Sequence, residues 1–209
     1  DGDLVLSSVP EQVFRLPWSD SPRAMAICDA DELDGRSSGL STRGLLKRVV
    51  AAYAEYGWQP VVATELEFFV FERHLDPQRP FLPPLGLDGS RESGCSAFSV
   101  SSGNGLRAFF DEVYRCMAAL GLPRDTFMHE MGVSQFEINL LHGDPLLGAD
   151  QTSLFKHLLR EIGLKHGLAV VCMAKPLPHT PGSSMHIHQS VVEQRSGRNI
   201  FSAEDGEAT

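Results

Sequence analysis

Three short stretches of this chain put ionisable side chains where apolar ones would be expected. Glu65 and Glu67 sit in the run Thr-Glu-Leu-Glu-Phe-Phe at 64–69, and Glu130 and Glu137 in the run His-Glu-Met-Gly-Val-Ser-Gln-Phe-Glu-Ile-Asn-Leu at 129–140. His186 and His188 occupy alternate positions of Met-His-Ile-His-Gln at 185–189. Residues i and i+2 of a β-strand point to the same face, so Glu65 projects with Glu67 and His186 with His188. A buried carboxylate without a partner is costly and must find a cation or a proton. The set Glu65, Glu67, Glu130, Glu137 and His186, rich in hard oxygen donors, suits Mg2+ or Mn2+ better than zinc. One ion does not need so many ligands. Two divalent ions sharing them would leave positions open for phosphate oxygens, which is the logic of two-metal phosphoryl transfer and points to ATP.

Each motif has a plainer reading. A lone Glu-x-Glu at the start of a strand most often marks a solvated face. A lone His-x-His recurs by chance and also occurs in zinc hydrolases. A zinc hydrolase built on His186 and His188 is therefore the competing chemistry, and the surplus of carboxylates argues against it. His129, His142, His157, His166 and His179 read as structural, and Glu161 as part of a solvated helix face. Phe68, Phe69, Phe71, Phe109, Phe110 and Phe136 read as core.

The elements that must position these groups alternate along the chain. A strand is expected at 23–29, then a helix capped by Ser41 or Thr42 whose apolar residues Leu45, Leu46, Val49, Val50 and Tyr53 recur at helical spacing up to a stop at Gly57. A strand at 60–72 follows, then a Pro/Gly-rich loop at 76–93 long enough to be functional or mobile. A helix at about 105–120 is closed by Gly121 and Pro123. The Glu130 segment, a helix at about 151–166 and strands at 168–173 and 184–192 complete the pattern. No Gly-rich phosphate loop appears. The sequence opens in an apolar alternation without an initiator Met and closes in a polar stretch at 202–207, so both ends read as cut.

Composition narrows the class. With 209 residues, 42% hydrophobic and 22% charged, the chain is ordinary for a globular protein. A net charge of −9 with no cluster among its 18 basic residues argues against a nucleic-acid partner. The cysteines, Cys28, Cys95, Cys116 and Cys172, form no CxxC pair, which excludes a zinc knuckle or redox motif and fits reduced thiols. No apolar run reaches membrane-spanning length and no basic N-region precedes one, so no membrane span or signal peptide is expected and the cytoplasm is the expected location.

Taken in order, the motifs at 64–69, 129–139 and 175–190 resemble the glutamine synthetase family. The wording Met-Ala-Lys-Pro at 173–176 and Pro-Gly-Ser-Ser-Met-His-Ile-His at 181–188, with Asn-Ile-Phe-Ser at 199–202, is similar to the branch that includes γ-glutamylpolyamine synthetases. The resemblance implies an α+β fold: the C-terminal part of a small N-terminal β domain over 1–35, then over 36–209 the first portion of a catalytic domain with helices on a curved, mainly antiparallel sheet. It implies an ATP-dependent ligase that phosphorylates the γ-carboxylate of glutamate and lets ammonia or an amine displace the phosphate. Glu67, Glu130 and Glu137 would hold the metal nearest glutamate, and Glu65 and His186 would contribute to the metal that orients ATP. His188 would touch the nucleotide phosphates and Gly182 would lie against bound glutamate. The complete parent would be a ring-shaped homo-oligomer with active sites between subunits.

Departures from the family pattern carry their own expectation. A further metal-binding Glu, several Arg side chains and a mobile Glu-bearing loop belong C-terminal to the histidine motif, and the chain stops about 20 residues after it. The small domain's catalytic Asp falls upstream, which makes Asp1 and Asp3 poor candidates and leaves catalytic residues unassigned. Val133 and Ser134 stand where a Pro-Gly pair is common, a change that bears on the turn presenting Glu137. These 209 residues alone are not expected to turn over, and a truncated, non-catalytic homologue that binds metal, nucleotide or partner subunits is the second reading.

Overall fold

The computed structural model describes residues 2–94 and 96–203. Asp1, Cys95 and residues 204–209, which include most of the polar closing stretch, lie outside the described residues. The chain divides into two compact units. One comprises Asp1–Ala63, His142–Asp150 and His188–Thr209, the other Thr64–Leu141 and Gln151–Ile187.

In the first unit, β1 (Val5–Arg15) and β2 (Ala24–Asp31) form a two-stranded antiparallel sheet with a register shift between Ser8 and Val13. Helix α1 (Thr42–Glu55) starts where its sequence signal stands: the Ser41 hydroxyl accepts from the Gly44 N–H at 3.0 Å. The chain leaves the helix through Gly57 at φ 70°, a left-handed conformation that glycine adopts without a Cβ penalty. The apolar stripe of α1 is less buried than its spacing predicts, with Leu45 at 53% and Val49 at 45% exposure. Arg43 donates to Asp29 at 2.6 Å and to Asp150 at 3.0 Å, tying β2 to the start of α3 (Pro145–Lys165).

The larger sheet has the order β4 (Arg124–His129), β5 (Gln135–Leu140), β3 (Trp58–Glu72), β6 (Leu168–Val171), and β7 (Met185–Glu193) also pairs with β3. The β3–β5, β3–β6 and β4–β5 ladders are all antiparallel. Helix α2 (Arg107–Ala119) follows a single 3-10 turn at Asn104–Leu106. The described buried apolar side chains belong almost entirely to the second unit: Phe68, Phe136 and Ile138 from the sheet, Phe109, Phe110 and Val113 from α2, and Leu158 and Ile162 from α3. All six phenylalanines expected in the core are buried. This is an α+β architecture.

Two elements differ from the sequence expectation. The segment at 129–140 is not one strand: β4 ends at His129, a turn occupies 130–134, and β5 begins at Gln135. Helix α3 begins at Pro145 rather than near Gln151, because Asp144 caps it through an Oδ1 that accepts from the Leu147 N–H at 2.9 Å. Proline at the first helical position loses no hydrogen bond, since that N–H has no helical partner. Among the described residues, no helix is long and apolar enough to cross a membrane.

Candidate metal centre

Register decides which side chains share a face. In the β3–β5 ladder Glu65 is paired with Asn139, Glu67 with Glu137 and Phe69 with Gln135. The intervening pairs, Leu66 with Ile138 and Phe68 with Phe136, point to the opposite face, where the Phe136 ring meets Phe110 of α2 at 4.9 Å between centroids. The apolar face fixes the register, and a slip by one residue would exchange carboxylates with core. Glu65, Glu67 and Glu137 thus share one face of the second unit because Phe68, Phe136 and Ile138 must share the other.

Each carboxylate meets a protein donor. His186 Nδ1 donates to Glu65 Oε2 at 3.1 Å, across the sequence distance that separates β3 from β7. Glu67, 8% exposed, accepts from the Gln135 side-chain amide at 2.8 Å. The same amide donates to the Gly182 carbonyl at 3.0 Å, and the Gln135 carbonyl oxygen accepts from the Gly132 N–H at 2.8 Å. Gln135 therefore joins a carboxylate of β3, the turn before β5 and the loop before β7. Glu130, on that turn and half-buried, accepts from the Met131 N–H at 3.2 Å. Gly182 is confined by backbone: a Cβ there would stand 2.5 Å from the Ala174 carbonyl oxygen.

Glu137 is the most constrained member, at 6% exposure. Burial pushes its carboxyl above the ordinary glutamate range, and the negative charges of Glu65, Glu130 and Glu67 push the same way against an opposing hydrogen bond from Asn139. The four carboxylates are thus close enough to feel one another. Among the described residues no three His, Cys, Asp or Glu side chains already converge as a chelating group. Glu65, Glu67 and Glu130 each accept a hydrogen bond from a protein donor. The donor set fits a hard divalent cation, which would neutralise the cluster and take carboxylate oxygens from both strands.

The structure thus brings Glu65 and His186 together, sets Glu67 opposite Glu137, places Glu130 on the adjoining turn, and links Gly182 to Glu67 through Gln135. His188 lies farther along β7, exposed, and belongs to the first unit. Sequence reasoning assigned no role to Gln135 or Glu92. Gln135 had a signal, standing two residues before Glu137 and hence on the same strand face. Glu92, from the long loop, had none.

A mainly antiparallel sheet with a face of carboxylate oxygens offers donors of the kind that divalent cations take. Residues 39–209 match the model of the glutamine synthetase catalytic domain, and the chain belongs to the glutamine synthetase family. It is 29% identical over 206 residues to a glutamine synthetase of Pyrococcus abyssi, covering 99% of this chain and 44% of that protein. It is 34% identical over 186 residues to gamma-glutamylputrescine synthetase PuuA of Escherichia coli, covering 88% of this chain and 39% of that protein. A solved complex of GmaS with ADP superposes with a TM-score of 0.83 at 26% identity, covering 100% of this chain and 46% of that one. The chain spans less than half the length of the curated relatives it matches.

Proposed function

We propose that this protein is an ATP-dependent γ-glutamyl ligase, and that the carboxylate face of the second unit is its metal centre. One observation carries the reading: Glu67 and Glu137 are register partners, buried, and surrounded by Glu65 and Glu130, an arrangement unfavourable without a cation. Glu67, Glu130 and Glu137 would hold one Mg2+ or Mn2+, and Glu65 with His186 would contribute to a second. Bound divalent ions supply neutralisation of phosphate charge. In the reaction, a γ-carboxylate oxygen of glutamate attacks the γ-phosphorus of ATP and ADP leaves, giving γ-glutamyl phosphate. The amine nitrogen then attacks the γ-carbonyl carbon, loses a proton, and expels phosphate. Such transfers depend on charge neutralisation and positioning more than on covalent help from the protein.

Further assignments rest on family membership. His188 serves the nucleotide phosphates and Gly182 the bound glutamate, where a close backbone approach excludes a side chain. Residues 1–35 belong to the small N-terminal β domain, and the working protein is a cytoplasmic homo-oligomeric ring. The likeness to gamma-glutamylputrescine synthetase supports an amine as the second substrate alongside ammonia. The test is phosphate release by the protein purified from its source, its ends fixed by intact mass, on a panel of ammonia, isopropylamine and putrescine. Release that requires ATP, glutamate and one member of the panel is expected. ATP hydrolysis indifferent to glutamate and to every amine contradicts the proposal.

A further inference from the structure

The turn that carries Glu130 is pinned by a residue far from it in sequence. Glu92, from the long loop, has a side chain 16% exposed, and His129, the last residue of β4, has one 1% exposed. One oxygen of Glu92, Oε2, accepts from His129 Nε2 at 3.1 Å and from the Ser134 N–H at 2.9 Å. The other ring nitrogen of His129 lies 2.8 Å from the Glu130 carbonyl oxygen. Through its two ring nitrogens His129 therefore bridges the long loop and the turn.

Ser134 completes the arrangement. Its φ of 55° is left-handed, a conformation uncommon for a residue other than glycine. Three hydrogen bonds hold it there: its N–H donates to Glu92, its hydroxyl donates to the Val70 carbonyl at 2.7 Å, and its carbonyl accepts from the Val70 N–H at 2.9 Å. The Glu130 N–H donates to the Gln135 carbonyl at 2.8 Å, closing the turn. A buried hydrogen bond of this kind adds only modest net stability. Glu92 moreover leaves its second oxygen buried without a hydrogen-bond partner. What the pair supplies is a fixed geometry.

We propose that Glu92 is a positioning residue: through His129 and Ser134 it sets the 130–134 turn and with it the direction of the Glu130 carboxylate, coupling the order of the long loop to divalent-cation affinity. The coupling rests on the reading of Glu130 as a metal ligand. Groups that orient metal ligands change affinity by about 10–100-fold when removed.

The test compares hydrogen exchange of the 130–135 amides with Mn2+ binding followed by electron paramagnetic resonance, on the full chain. Glu92→Gln is expected to speed exchange in the turn and to weaken Mn2+ binding about tenfold. In a Glu130→Gln background it is expected to weaken binding no further. Glu112→Gln, which removes the contacts of α2 with Lys165 and His166 and leaves the long loop and the turn untouched, should leave affinity unchanged. Glu92→Asp, which keeps the charge and shortens the reach, replaces Glu92→Gln if that variant does not fold. Unchanged exchange overturns the role of Glu92 in fixing the turn, and additive losses in the double variant overturn the route through Glu130. Absence of Mn2+ binding by the unsubstituted chain overturns the metal-site reading and the coupling, while the exchange result still decides whether Glu92 fixes the turn.

Discussion

Glu67 and Glu137 stand directly opposite each other on neighbouring antiparallel strands, both with less than a tenth of their surface exposed. Like charges in that relationship weaken a sheet. A chain built for stability alone would place an apolar or polar pair there, as it does one residue away, where Leu66 opposes Ile138 and Phe68 opposes Phe136.

Glu137→Gln should therefore stabilise the chain in metal-free buffer, by roughly 1 kcal/mol, while removing divalent-cation binding. The sign follows from the direction of the shift. The folded-state pKa of Glu137 lies above its ordinary value of 4.5, so the stability associated with its protonated form is present below that value and is lost as pH rises through the folded pKa. Urea unfolding across the acid range should show that fall in the unsubstituted chain and a flatter profile in Glu137→Gln.

In the first unit, Arg43 pairs with Asp150, whose exposure is 5%, and shares Asp29 with Lys47. Removing one member of a buried ion pair leaves an uncompensated charge. Arg43→Ala is expected to cost roughly 3–5 kcal/mol, measured by denaturant unfolding, and Arg43→Lys to recover part of the loss because an ammonium cannot reproduce the guanidinium fork.

Glu112 of α2 accepts from Lys165 Nζ at 2.8 Å and from His166 Nε2 at 2.8 Å, joining α2 to the end of α3. The hydrogen bond from Lys165 comes first among the effects that hold its carboxyl below the ordinary glutamate value, and that from His166 adds to it against partial burial. A carboxylate lowered on folding contributes stability that is present above its unfolded pKa and lost as pH falls through its folded one. Glu112→Gln should cost about 1 kcal/mol near neutral pH, given the half-exposed lysine, and the difference from the unsubstituted chain should vanish on acidification.

Where local chemistry sets an element, the sequence was readable. Ser41 caps α1, Gly57 ends it, and the alternation in 64–72 delivers Glu65 and Glu67 to one face of β3. β4 escaped because its Arg124, Asp125 and Thr126 offer no apolar alternation, and its pairing with β5 is what holds it as a strand. The start of α3 was written in Asp144 and Pro145, yet Pro145 and Gly148 also read as breakers. Glu130 was legible as a carboxylate beside Glu137 but not as a turn residue, since the turn depends on Gly132, where a Cβ would stand 2.9 Å from the Phe69 ring, and on Ser134 held by the distant Glu92. Contacts of that kind, separated by tens of residues, leave no periodicity to read.

The most direct test of the account is titration of the chain with Mn2+, observed by electron paramagnetic resonance, beside the variants Glu67→Gln and Glu137→Gln. Saturable binding by the unsubstituted chain that either substitution weakens at least tenfold is the predicted result. Binding that is absent, or that both variants retain in full, would contradict the assignment of this carboxylate face as a metal centre.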